Sequence, residues 1–280
     1  LQWTNHRVVV STILITLVIV AILIFSGWLS LYKLGRTDEF LFRITKIFPI
    51  SVASVDDQSV RFSDYLLLYR SSINSIERQS SDRFEEGSMD ELRKEYKRSA
   101  LTESEQYTYA AKLAKELDIT VSEEEVKTEF DRHLKIGGID RSEEGFIKII
   151  QDNFGLDKSE YERMLYLSLL KSKVEMRIDE KADSLAKKVE SLLASNNNDY
   201  KAVAEELGDK INYQETGGLV DSKNIDGGRA TEAMKLEPGQ SSGKFVSLNG
   251  DGYYFVKLIK KTDNEVNFVS IGISFTEFDK

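Results

Sequence analysis

Few residues of this sequence have the types and the spacing that catalytic chemistry requires. The two histidines, His6 and His133, lie far apart in the sequence, and the chain contains no cysteine. A histidine cluster for a metal ion, thiolate catalysis and disulfide bonds are therefore excluded. The glycine-rich motif of phosphate-binding loops and the serine motif of hydrolases do not occur either. The sequence predicts no metal site and no cofactor.

The densest groups of carboxylates are explained by helix structure rather than by acid–base catalysis. Glutamates at 123–125 follow Ser122, and those at 143–144 follow Ser142. A serine before acidic residues is typical of a helix N-terminus, where the hydroxyl accepts a backbone N–H and the helix dipole favours negative charge. Asp157, with a glutamate three residues later, predicts another such cap.

Three apolar or aromatic residues in the last third of the chain are the candidates for contact with a peptide. They are Met234, Phe245 and Tyr254. Met234 stands in a predicted helix that ends at a Pro-Gly turn, whereas Tyr254 stands in a predicted strand. Their side chains could line an apolar peptide-binding pocket, or they could belong only to the core, and no catalytic residue is assigned.

Length, composition and charge restrict the functional classes. A chain of 280 residues with 41% hydrophobic and 30% charged residues is long enough for two globular units and a further segment. The formal net charge is −9, and no run of lysine and arginine residues supplies a concentrated basic surface. Binding of nucleic acid needs a concentrated basic surface, so nucleic acid is not expected as a partner.

Residues 8–31 form an almost wholly apolar run. A helix of this length extends about 36 Å, more than the bilayer core of about 30 Å. No small-residue cleavage site follows it, so the run predicts an uncleaved transmembrane anchor within residues 1–36, although a buried soluble helix is the alternative. This predicts a single-pass membrane protein. Flanking basic residues alone would place the large domain in the cytoplasm, but long domains translocate largely regardless of charge.

A series of short motifs follows the apolar run in a recognisable order. Residues 49–65 read PISVASVDDQSVRFSDY, with a tight turn predicted at Asp56-Asp57. The pattern A-x-x-L-x-I-x-V-S-x-E-E-V covers residues 114–126, and FGLDKSEYERML covers residues 154–165. This order resembles the helical N-terminal domain of SurA-type extracytoplasmic chaperones. The resemblance implies an all-α domain over residues 37–177 that binds unfolded client segments. Together with the predicted anchor it implies a location at the plasma (inner) membrane, with the soluble domains extracytoplasmic.

The region from residue 178 resembles a parvulin-type peptidyl-prolyl isomerase domain. The matching residues are Gly217-Gly218-Leu219, the helix and Pro-Gly turn over 233–242, and the strand over 252–258. The resemblance implies a small α/β domain with an antiparallel sheet over residues 178–280. The paired histidines of that family are absent, and Tyr254 stands at the position of the strand histidine.

The parvulin family's opening strand is also absent. A single long helix is predicted from Val174 to the asparagine loop at 196–198, through the place where that strand would lie. An alternating apolar stretch over residues 266–275 predicts an additional last strand. We expect this strand to take the central sheet position of the missing one.

The sequence therefore predicts an α+β fold with an N-terminal transmembrane helix, an all-α SurA-like chaperone domain and a small parvulin-like α/β domain. The predicted function is a membrane-anchored chaperone or foldase that binds unfolded or newly translocated polypeptides. One alternative is an active parvulin-type prolyl isomerase. Another is a structural envelope protein, or one associated with a translocon, whose parvulin-like domain only mediates interactions.

Overall fold

A computed structural model describes residues 2–33, 35–80 and 86–276 of the chain. The helices are α1 (Gln2–Trp28), α2 (Glu39–Ile47), α3 (Phe62–Ser80), α4 (Glu86–Glu116), α5 (Glu123–Leu134), α6 (Glu143–Phe154), α7 (Lys158–Ile178), α8 (Glu180–Ser195), α9 (Tyr200–Leu207) and α10 (Arg229–Met234). The strands are β1 (Ser51–Val55), β2 (Gln58–Arg61), β3 (Asn212–Glu215), β4 (Val220–Asp221), β5 (Phe245–Val246), β6 (Gly252–Lys261) and β7 (Glu265–Ser274). The protein is thus mostly helical, with a small antiparallel sheet near its C-terminus.

The chain divides into two compact units, Leu1–Glu105 and Gln106–Lys280. This division does not test the domain boundaries predicted at residues 36 and 177, which stay a prediction. The candidate sites described below lie within the second unit.

In the first unit, the predicted tight turn is confirmed. Strands β1 and β2 form an antiparallel hairpin in which Val55 pairs with Gln58, and Asp56 between them has a φ of 51°. Helix α3 follows at once and buries Leu66, Tyr69 and Ile73. The unit's core therefore forms around this amphipathic helix.

The membrane assignment made from the apolar run is wrong. A helix that crosses a hydrocarbon core of about 30 Å needs about 20 consecutive, predominantly apolar residues. Across residues 2–33, 35–80 and 86–276, no helix, α1 included, has the combined length and apolar character needed for a membrane crossing. The transmembrane element of the predicted fold class is corrected accordingly. The predicted single-pass location in the plasma (inner) membrane depended on that element and is therefore wrong as well.

Helix caps in the second unit follow the sequence closely. Ser122 and Glu125 form a reciprocal capping box at the start of α5, and Asp157 and Glu160 form another at the start of α7. Ser142 caps α6, which ends at Gly155 in the left-handed conformation. Each cap satisfies backbone groups that the helix itself leaves unpaired, so these boundaries depend on local residues alone.

The long helix predicted from Val174 is interrupted at Asp179. This residue has φ −81° and ψ 77°, ends α7 and begins α8. Its carboxylate accepts the N–H of Ala182 at 2.8 Å and the N–H of Thr276, beyond the end of β7, at 2.6 Å. The break therefore places one side chain where it can hold both the new helix and the end of the last strand.

The sheet has the strand order β3–β7–β6–β5, all antiparallel, with β4 also paired to β7. Strand β7, for which the sequence predicts a central position, therefore lies in the interior of the sheet. Because side chains alternate between the two faces of a strand, β6 and β7 build two cores. One face packs against α8 and α9, with Phe255 and Ile271 at its centre. The other packs against α10, with Val256 and Phe268 at its centre.

Candidate functional site

Two of the three predicted peptide-contacting residues lie side by side on the α10 face of the sheet. Phe245 of β5 pairs directly with Tyr254 of β6, and their ring centroids are 6.1 Å apart at an interplanar angle of 35°. Met234, at the end of α10, packs with Phe245 against the core cluster that contains Val256. All three side chains are half-buried. The structure therefore pairs Phe245 with Tyr254 and places Met234 and Phe245 against the same core cluster, and contact of the three with a peptide stays a prediction.

The Tyr254 ring fits this face because two neighbouring positions have no side chain. A Cβ added at Gly272, its partner on β7, would approach Cε1 of the ring to 2.7 Å. A Cβ added at Gly227, whose φ is 73°, would lie 3.6 Å from Cε2 of the ring and 2.7 Å from Oγ of Ser247. The ring is therefore set into a shallow trough between the sheet and the turn that precedes α10.

The residue that sequence reasoning missed on this face is Arg229. Its guanidinium carbon lies 4.9 Å from the Tyr254 ring centroid. Nε donates to the backbone oxygen of Asp226 at 2.8 Å, and Nη1 donates to the side chains of Gln214 and Ser270. In the sequence, Arg229 is visible only as a single basic residue directly after Gly227-Gly228. No local pattern predicts that its side chain lies over the Tyr254 ring.

The Tyr254 hydroxyl is not suited to acid–base chemistry near neutral pH. Burial raises the pKa of the Tyr254 hydroxyl, and the nearby charge of Asp251 adds to the effect. Burial also raises the pKa of Asp226, although hydrogen bonds from the backbone and the charge of Arg229 oppose it. A neutral phenol can donate a hydrogen bond but does not exchange protons as a histidine does. The face therefore offers binding and hydrogen bonding.

A cleft of about 480 Å³ lies elsewhere in the second unit, between α5, α7 and the turn that follows β5. Its apolar lining comes from Leu165, Leu169 and Met176 of the α7 helix, from Val246 at the end of β5 and from Leu248 of the turn. Val246 and Leu248 are 38% and 49% exposed, although both are large apolar residues. The apolar positions of α7 are visible in the sequence, but the turn that faces them is about 80 residues away.

Ser172 and Gly250 hold the two walls of this cleft together. The Ser172 hydroxyl donates to the backbone oxygen of Gly250 at 3.0 Å. Gly250 has a φ of 70°, and a Cβ added there would lie 2.1 Å from Ser172 Oγ. Only glycine accommodates both the backbone conformation and this close approach.

The opposite end of the cleft is polar. Arg132 donates to Glu129 through Nε at 2.9 Å and also through Nη2, while His133 Nε2 lies 3.1 Å from the same carboxylate. His133 Nδ1 lies 2.5 Å from the Tyr161 hydroxyl. Burial of Glu129 opposes its ionisation, but the hydrogen bonds from Arg132 and His133 outweigh burial and lower its pKa to about 2. His133 thus belongs to a structural charge network on α5 and is not on the face that carries Tyr254.

The comparison with known families concerns mainly the helical part of the chain. A sequence profile described as the SurA-like N-terminal domain matches residues 2–175, well over half of the chain. The chain belongs to the SurA-like N-terminal domain family. No match was found among curated proteins or among solved structures.

The SurA-like resemblance is therefore confirmed, whereas the parvulin resemblance over residues 178–258 lies beyond the matched region and stays a prediction. The SurA-like region supplies most of the helical wall of the cleft, including Leu165, Leu169 and Ser172. The turn that supplies Leu248 and Gly250 follows that region in the sequence. The cleft thus combines SurA-like helices with a loop from the sheet.

Proposed function

We propose that this SurA-like protein is a chaperone that binds unfolded or newly translocated polypeptides, and that the cleft beside α7 holds apolar client segments. The observation that carries the proposal is the apolar lining of the cleft, in which Leu165, Leu169 and Met176 face Val246 and Leu248. Membership of the SurA-like family supports the same function. Burial of the half-exposed Leu248 by a client would stabilise the complex, because removal of apolar surface from water is favourable.

Suppression of aggregation by the purified chain tests this function. A chemically denatured test protein is diluted with and without the chain, and light scattering is followed. We expect the wild type to suppress scattering and Leu248→Ser to need about fivefold more protein, since the loss of about 1 kcal/mol of apolar contact changes affinity by that factor.

The matched control is Ile149→Ser on α6. Ile149 is 44% exposed, close to the exposure of Leu248, but does not line the cleft. This variant should suppress scattering as well as the wild type does. Equal activity of Leu248→Ser and the wild type would place client binding elsewhere. If the wild-type chain leaves scattering unchanged, the alternative of a structural envelope or translocon-associated protein is favoured instead.

The second candidate function is prolyl isomerisation. It is favoured by the half-buried Phe245–Tyr254 pair on the α10 face, because an apolar surface with a hydrogen-bond donor can seat a proline ring and stabilise a twisted amide. A protease-free assay on a proline tetrapeptide measures this activity directly. If Tyr254 takes part, Tyr254→Phe should reduce the rate enhancement. Absence of any enhancement by the wild type rejects the enzyme.

A further inference from the structure

Arg229 makes hydrogen bonds only with uncharged groups. They are a backbone oxygen, an amide side chain and a hydroxyl. Two other half-buried basic residues do have carboxylate partners: Lys244 lies 2.9 Å from Asp183, and Lys171 lies 3.5 Å from Glu175. Among the described residues, no carboxylate oxygen lies within 4 Å of the Arg229 guanidinium. A half-buried cation in this state favours the approach of an anion.

The carboxylate of Asp226 makes no direct hydrogen bond to the guanidinium. Both of its oxygens accept the N–H of Ala230, at 3.2 and 3.1 Å. The charges of Asp226 and Arg229 attract each other, but only the backbone oxygen of Asp226 accepts a hydrogen bond from the guanidinium. The positive charge of Arg229 is thus only partly offset, and a ligand anion can approach it directly.

The shape of the site restricts the ligand. The guanidinium lies over the Tyr254 ring, and its Nε and Nη1 donors are already bonded, so Nη2 is the donor left for a carboxylate oxygen. Nη2 has no hydrogen-bond partner among the described residues and is not a buried unsatisfied atom, so it reaches solvent. Phe245, beside Tyr254, offers an apolar surface for a neighbouring side chain. A single cation on a chain of net charge −9 is a poor match for polyphosphates or nucleic acid.

We propose that Arg229, which lies over Tyr254, binds a carboxylate of a client polypeptide, with an adjoining apolar side chain of the client on Phe245. The carboxylate is either the C-terminal group or an Asp or Glu side chain. This inference rests on the proposed function and specifies the kind of segment that the α10 face selects. It assigns no chemical step to the site.

Three labelled hexapeptides with the same apolar residues test the proposal by fluorescence anisotropy with the full chain. One has a free C-terminus, one has an amidated C-terminus, and one is amidated but contains a glutamate. We expect the free acid to bind about tenfold more tightly than the neutral amide, as for a charge-assisted hydrogen bond. The glutamate peptide distinguishes the two kinds of carboxylate. Tight binding of this peptide shows that a side-chain carboxylate also binds Arg229, and weak binding shows selectivity for the C-terminal carboxylate.

Arg229→Gln should abolish the preference for the acid and leave affinity for the amide within about twofold. Arg229→Lys, which keeps the charge but loses the planar guanidinium held over Tyr254, should retain only part of the preference. Equal wild-type affinities for acid and amide overturn the inference while leaving the chaperone function intact, and so does a preference that survives in Arg229→Gln. Failure of all three peptides to bind also overturns the inference. The aggregation assay then tests the chaperone function separately.

Discussion

Glu129 shows how a single carboxylate organises the polar end of the cleft. It accepts hydrogen bonds from Arg132 and lies within 3.1 Å of His133, whose other ring nitrogen contacts Tyr161. Its side chain is only 19% exposed, so these partners replace most of its hydration. The charge of Glu129 therefore stabilises the local arrangement of α5 against the start of α7 only while it remains ionised.

Glu129→Gln should make the stability of the chain less dependent on pH in the acid range. The folded-state pKa of Glu129 is about 2, below its ordinary value of 4.5. A depressed folded pKa contributes stability that is present above about pH 4.5 and is lost as the pH falls toward 2. We expect the variant to be about 2 kcal/mol less stable at pH 7, after allowance for screening, and to approach the wild type near pH 2. Urea unfolding at several pH values measures this difference.

Tyr161→Phe is the control for this prediction, because it removes the hydroxyl beside His133 without removing a charge. Burial, assisted by the charge of Glu129, raises the pKa of Tyr161 to about 12, so the hydroxyl stays neutral over the acid range. Its effect on stability should therefore vary little with pH. A stability difference for Glu129→Gln that stays constant from pH 7 to pH 2 would contradict the role given to its charge.

At the scale of elements, the turn after β5 is docked on α7 by the contact between Gly250 and Ser172. Gly250→Ala adds a Cβ 2.1 Å from Ser172 Oγ and also forces a non-glycine residue to a φ of 70°. We expect a loss of about 3 kcal/mol, of which about 1 kcal/mol comes from the left-handed backbone. The cleft should also widen, so amide exchange of the turn should accelerate. Denaturant unfolding and hydrogen exchange measure the two effects.

Gly239→Ala separates the two contributions. Gly239 has a φ of 88° but nothing within 4 Å of an added Cβ, so this variant has the backbone cost without the clash. Ser172→Ala combined with Gly250→Ala should recover part of the stability, because it removes the nearest atom. Equal costs for Gly250→Ala and Gly239→Ala would show that the turn moves away from α7 easily.

The same elements show which parts of the fold the sequence predicts. The caps at Ser122 and Asp157 are predicted correctly because donor and acceptor lie within one helical turn. The break at Asp179 is not predicted, because Thr276, 97 residues later, supplies one of the hydrogen bonds to its carboxylate. Local periodicity continues across the break and gives no sign of that distant partner.

The candidate sites follow the same division between local and distant information. Phe245 and Tyr254 are predicted as candidates because they stand in recognisable strand and turn patterns, and their pairing follows from the sheet register. Arg229 and the cleft are missed because both depend on contacts between distant segments. Arg229 contacts Ser270, 41 residues later, and Ser172 contacts Gly250, 78 residues later.

At the scale of the whole molecule, the last strand decides whether the C-terminal part of the second unit folds. Strand β7 pairs with β6 along most of its length and with β3 and β4 on its other side. It supplies Ile271 and Ile273 to one core and Val266 and Phe268 to the other. Both faces of the sheet therefore depend on the final strand of the chain.

A chain that ends after Lys261 should lose the cooperative unfolding of the sheet. Without β7, strands β3 and β4 have no partner, β6 keeps only the short β5, and α8, α9 and α10 lose the apolar surfaces against which they pack. Isolated two-stranded pairings of this size are only marginally stable in water. Circular dichroism melting and amide protection along β6 measure the loss, and a chain that ends after Thr276 keeps β7 and serves as the control. If the shorter chain keeps both its melting transition and the protection of β6, then β7 is dispensable and cannot stand in for a central strand of a parvulin-like sheet.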